Sequence, residues 1–146
     1  MIVPKTRESI MRLNPLLTFN GQCESAFKFY EKCLGGKIVV MMTYGDSPMA
    51  AQAPPDWRKK ILHTTLVLGD HRLQGADVLP ESYRKPQGFS VLLNVDAVAE
   101  ADRIFTALAE NGAVQVAIQE TFWGLRFGMV VDQFGTPWII QCGKPG

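Results

Sequence analysis

Excess charge is what this chain most plainly lacks: 15 Lys and Arg stand against 14 Asp and Glu, a formal net charge of +1. Arg58-Lys59-Lys60 and Arg84-Lys85 are its only basic clusters, and they read as solvated loops. With no basic stripe there is nothing to track a phosphate backbone, so no nucleic-acid partner is expected. Cysteine is also sparse. Cys23, Cys33 and Cys142 show no C-x-x-C spacing and cannot all pair within the chain. Reduced thiols and a cytoplasmic setting are the natural reading. No apolar run approaches the roughly 18 residues of a membrane span, so no membrane partner is expected. Residues 1–11 lack the continuous apolar segment of a secretory signal, and 1–12 read as a flexible N-terminal segment. Ser47, Ser82 and Ser90 lie outside any Gly-x-Ser-x-Gly elbow. No Gly-rich turn from strand to helix is available for a nucleotide-like cofactor.

What is present is a core. The sequence is 47% hydrophobic and 20% charged, which describes a globular domain rather than a disordered chain. Leu13 to Phe19 reads as a strand, and Asn20-Gly21 as a turn. Gln22 to Leu34 reads as a helix with Ala26, Phe27, Tyr30, Cys33 and Leu34 on one face. Gly35-Gly36 should end that helix. Strands are expected at Lys37 to Tyr44, Ile61 to Leu68 and Arg72 to Ala76, the last two joined at Gly69-Asp70. The order then repeats. Phe89 to Val95 is a strand, and Asp96 an N-cap for a helix carrying Val98, Ala101, Ile104, Phe105 and Leu108. Ala113 to Gln119, Arg126 to Val131 and Thr136 to Cys142 are strands, the last two joined by the turn Asp132-Gln133-Phe134-Gly135.

A shift of 76 residues places Phe29 on Phe105, Gly36 on Gly112, Ile38 on Val114 and Val40 on Val116. The fold expected is therefore α+β, two β-α-β-β-β modules whose sheets form a curved mixed sheet around a cup. Residues 13–78 make the first module, 79–87 a Pro-containing linker and 88–142 the second, together one domain.

Six blocks carry a family resemblance over about residues 13–142. They are Phe19-Asn20-Gly21 leading to Ala26-Phe27-Lys28-Phe29-Tyr30, then Gly45-Asp46-Ser47-Pro48-Met49, Ile61-Leu62-His63 and Pro86-Gln87-Gly88-Phe89. The last two are Glu120-Thr121-Phe122-Trp123-Gly124 and Arg126-Phe127-Gly128. In these the chain resembles the vicinal oxygen chelate superfamily of glyoxalases, bleomycin- and fosfomycin-resistance proteins and extradiol dioxygenases. It looks most like the PhnB-like branch, which bears the name of a 3-demethylubiquinone-9 3-methyltransferase. Metal-dependent members hold a divalent ion at four inward strand positions. Carried over, these fall near Pro15, Gln74, Ser90 and Ile139, a set with no imidazole or carboxylate. No metal and no cofactor are expected. The resemblance also implies a homodimer.

The candidate ligand-binding residues are His63, Gln74, Ser90, Trp123, Arg126 and Phe127. His63 alternates with Leu62 and Thr64 and can point into the cup or serve as a hydrogen-bonded structural histidine. Arg126 sits amid Phe122, Trp123, Phe127, Phe134 and Trp138. It suits an anionic group with an aromatic stacked beside it, or a salt bridge to Glu120. Aromatic walls fit a small organic molecule, which favours a metal-free binding protein that sequesters an aromatic or anionic compound. The alternatives are an enzyme of the same fold (lyase, isomerase or dioxygenase-like) and a structural or regulatory dimer.

Overall fold

The computed structural model describes residues 10–143, so the segment 1–9 at the start of the expected N-terminal arm lies outside the described residues. The first module runs β1 (Leu16–Phe19), α1 (Cys23–Leu34), β2 (Lys37–Thr43), β3 (Ile61–Leu68) and β4 (His71–Asp77). The second runs β5 (Val91–Asn94), α2 (Val98–Leu108), β6 (Ala113–Gln119), β7 (Gly124–Val131) and β8 (Pro137–Gly143). Each forms a four-stranded mixed sheet, ordered β1-β4-β3-β2 and β5-β8-β7-β6. The first strand lies parallel to the last in each module, and the other neighbours are antiparallel. The α+β class and the duplicated module order are thus as the sequence reads. No helix among the described residues is long and apolar enough to cross a membrane.

The repeat extends to an irregularity. β2 pairs out of step between Ile38 and Val40, and β6 does so between Val114 and Val116. An extra residue in one strand increases local twist, and here it occurs at the same point in both sheets. Gly36 and Gly112 precede these strands. A Cβ on either would lie 2.5 Å from a backbone oxygen, that of Val67 or Val131. Glycine is required there by close approach rather than by φ. Gly35 adopts φ 77° and donates to Glu31 O at 3.0 Å, closing α1 as expected.

The helix N-termini depart from the sequence reading. Ala97, not Asp96, is the N-cap of α2, and it makes no side-chain cap bond. At α1 the Cys23 N–H instead donates to Asp77 Oδ1 at 2.9 Å, and Ile61 N–H donates to the other oxygen at 2.9 Å. A carboxylate from the end of β4 therefore caps a helix 54 residues away in sequence, a non-local cap that no N-terminal motif announces.

Both helices pack on their own sheets and on each other. Phe27, Tyr30, Ile104, Phe105, Leu108, Val130, Trp138 and Ile140 belong to one shared buried cluster. The bonds between modules run through this helical layer. Tyr30 Oη donates to Asp132 Oδ2 (2.6 Å) and Thr136 Oγ1 (2.9 Å). Arg103 Nη1 donates to Cys33 O (3.2 Å), and the Phe29 and Phe134 rings meet edge to face at 5.7 Å.

Candidate functional site

Strand register decides which side chains face away from the helices. A Cβ on Gly75 would enter the Phe27 ring of α1, so position 75 faces the helix, as do its partners Thr64 and Leu17. Alternation then turns Leu16, Gln74 and Thr65, which pair directly, to the opposite open face. His63 lies two residues from Thr65 on the same face, opposite Met42, and its Nε2 is 3.1 Å from Thr65 Oγ1. His63 and Gln74 are thus neighbours on one open surface.

In the second module a Cβ on Gly128 would lie 2.6 Å from the Phe105 ring of α2, so Gly128 and its partner Ile140 face the helix. Leu92, Ile139, Met129, Phe127 and Gln141 therefore share the open face. Gln141 Nε2 donates to Asn94 Oδ1 at 2.6 Å across that surface. Trp123, from the short β6–β7 connection, packs edge-on against Phe127 at 5.4 Å. Ser90 immediately precedes β5 and lines a broad groove with Phe89, Leu92 and Ile139. Trp123 and Phe127 are thereby joined on the second open surface, whereas Ser90 lies toward its other end, beside the Val91–Trp138 pair.

Arg126 is not with them. It pairs with buried Cys142 on the helix side, and its Nε donates to Asp102 Oδ1 of α2 at 2.9 Å. Its Nη1 donates to Leu125 O at 2.7 Å. The expected cup-facing guanidinium is instead a strand-to-helix tie, and its acid is Asp102 rather than Glu120. The reason is parity: Phe127 faces outward, so its neighbour must face the helix.

Register also bears on the positions carried over from metal-dependent relatives. Register places Leu16 beside Gln74 and Leu92 beside Ile139, whereas Pro15 and Ser90 lie just outside their strands. With either Pro15 or Leu16, and either Ser90 or Leu92, beside Gln74 and Ile139, the set offers no imidazole and no carboxylate. No group of three or more His, Cys, Asp or Glu side chains among the described residues is placed to hold an ion. This donor set does not fit the divalent centre of metal-dependent relatives.

Sequence reasoning missed the long-range partners of two acids, Asp77 and Asp132. Asp132 accepts from Phe134 N and Thr136 N, as its turn predicts, but also from Tyr30 Oη and Trp138 Nε1 (2.8 Å). Tyr30 and Trp138 are consequently core residues. The Tyr44 hydroxyl donates to Asp77 O at 2.7 Å. The three thiols are buried; desolvation pushes Cys33 up to about 11 and Cys23 higher still, so neither supplies a thiolate near neutrality.

Paired βαβββ modules with helices on one side and four inward strand positions define the vicinal oxygen chelate architecture. Residues 12–140 match the model of the Glyoxalase/Bleomycin resistance protein/Dioxygenase superfamily, and the chain belongs to that superfamily. It is 33% identical over 144 residues to protein YjdN of Escherichia coli (strain K12), covering 92% of this chain and 97% of that one. The crystal structure of PA1353 from Pseudomonas aeruginosa superposes with a TM-score of 0.85 at 43% identity, covering 93% of this chain and all (100%) of that one. A PhnB protein from Bacillus cereus, described as a putative 3-demethylubiquinone-9 3-methyltransferase, shares the fold with a TM-score of 0.77 at 21% identity, over 91% of this chain and 100% of that one.

Proposed function

We propose that the protein binds a small, largely aromatic organic molecule without a metal, on the open faces of its sheets. One observation carries this reading: Leu16 and Gln74 on one open face, and Leu92 and Ile139 on the other, offer no ionic ligand, while the second face also presents Phe127 with Trp123 packed against it. A site so built holds its ligand by shape and stacking. With Arg126 engaged by Asp102, the aromatic part of the ligand matters more than an anionic part. Sequestration of such a compound in the cytoplasm fits the three unpaired, buried thiols.

The same reading includes a homodimer. The modules of one chain are bonded through their helical layer, while Leu16 (52%), Leu92 (45%) and Phe122 (89%) remain solvent-accessible. A second copy can set its own open face against each of these and close the cup.

Calorimetric titration of the purified protein with a panel of neutral bicyclic aromatics, with and without EDTA, tests the proposal. Saturable binding that is indifferent to EDTA and weakened by Phe127→Ala supports it. Stoichiometric nickel, zinc, iron or manganese by elemental analysis, required for binding, overturns it. The second reading, a metal-independent lyase or isomerase, rests on His63, the one histidine on an open face, held by Thr65. Turnover of any bound compound, abolished by His63→Gln, would favour it.

A further inference from the structure

The two modules differ most in one connection. Residues 44–60 join β2 to β3, whereas residues 120–123 suffice between β6 and β7. The longer segment is built rather than slack. Tyr44 N donates to Lys60 O (2.9 Å), Gly45 N to Arg58 O (2.8 Å) and Trp57 N to Pro54 O (2.8 Å). Ser47 Oγ donates to Tyr44 O (2.7 Å), and Lys60 Nζ ties the far end to Gly21 O at 3.0 Å. Short 3-10 turns occupy Ala50–Gln52 and Pro55–Trp57. A module that closes with four residues shows that the fold does not require this structure.

The segment borders an open-sided pocket of about 270 Å³ against Val78 and Leu79, whose lining includes neither His63, Thr65 nor Gln74. Met49, Pro54 and the Trp57 ring give it apolar walls, and Gln52 and Ser82 offer polar groups. No charged side chain lines it. The Trp57 indole N–H is buried with no acceptor among the described residues, a costly condition that native structures rarely leave unrelieved.

We propose that this pocket is a second binding site, for a small neutral planar molecule carrying a carbonyl-type acceptor. Absence of lining charge disfavours ions, because a charge taken from water here finds no partner. The indole, thioether and proline faces favour a flat ring. At interior packing density the volume admits on the order of ten non-hydrogen atoms, about a bicyclic ring. The acceptor satisfies Trp57 Nε1, which requires the ring to turn enough to uncover its N–H.

The test uses ¹⁵N-labelled protein and three probes: quinolin-2-one, naphthalene and quinoline-2-carboxylate. The three indole N–H resonances, of Trp57, Trp123 and Trp138, are assigned by substitution. Quinolin-2-one should move the Trp57 resonance saturably and leave Trp138 in place, whatever it does at Trp123. Naphthalene should enter the pocket more weakly and without that shift, and the carboxylate should leave the Trp57 resonance unmoved. Trp57→Phe should weaken quinolin-2-one about two- to tenfold, the range of one hydrogen bond. Ala53→Trp, which fills the pocket, should abolish the shift at Trp57 with the rest of the spectrum preserved. Shifts confined to Trp123, unchanged affinity in both variants, or no shift at millimolar probe would overturn the proposal. Binding of aromatics at the open faces is a separate result, read at Trp123.

Discussion

Tyr30 Oη and Asp132 Oδ2 lie 2.6 Å apart across the boundary between the two modules, 102 residues apart in sequence. Both residues are buried, and Trp138 Nε1 donates to the same carboxylate oxygen at 2.8 Å. The acid is thus a junction that orients a helix of one module, a turn of the other and the largest side chain of the core. Tyr30→Phe should cost about 1.5–3 kcal/mol, the range for a hydrogen bond to a charged group. Asp132→Ala should cost about 3–5 kcal/mol, because it removes the acceptor of four donors at once. Urea unfolding of the two variants and their double mutant checks this. Additive losses would mean the pair is not coupled.

Arg126→Ala should lower stability by about 0.2–1 kcal/mol, as expected for a partly exposed ion pair. It should leave the affinity for neutral and anionic aromatics equally unchanged. Asp102→Ala should reproduce the same small loss. Selective weakening of an anionic ligand by Arg126→Ala would return that guanidinium to the binding surface.

Leu16→Glu and Leu92→Glu place charges on the two open faces, at side chains 52% and 45% exposed in one chain. Each should shift the sedimentation coefficient from dimer to monomer while the far-ultraviolet circular dichroism stays the same. A wild-type protein that is monomeric at micromolar concentration would defeat the homodimer outright.

Alkaline pH should destabilise the fold. Burial raises Cys33 from 9.0 to about 11, and raises Cys23 and Tyr30 further. Below pH 9.0, the ordinary thiol value, both folded and unfolded chains keep these protons. Above it the unfolded chain loses them and the folded chain does not, so stability present at neutral pH is lost as pH rises toward the folded values. Scanning calorimetry between pH 7 and pH 11 should give a flat Tm and then a decline. Cys33→Ala should make the decline shallower.

The fold was legible because its markers are local. Alternation places β3 at Ile61–Leu68 and β6 at Ala113–Gln119, and Gly35 stops α1, all within short windows. The site was less legible because it depends on parity between strands. Arg126 and Phe127 are adjacent, so one must face away from the other, and only the pairing with Cys142 and Gln141 tells which. Pro15 and Ser90 lie just before their strands for a related reason: strand onset is set by pairing with Gln74 and Trp138, not by local composition. Asp77 and Asp132 were beyond reach, since their partners arrive from 54 and 102 residues away.

The unequal connections, 44–60 and 120–123, also set what the chain can afford to vary. Closing the longer loop costs only about 1.3 kcal/mol more than the shorter by the logarithmic scaling of flexible loops, and the hydrogen bonds within it offset part of that. Strands on either side keep their register and their irregularity regardless. Length in this one hairpin is therefore nearly free of consequence for folding, and a duplicated frame can acquire new shape at that point while the shared scaffold stays fixed.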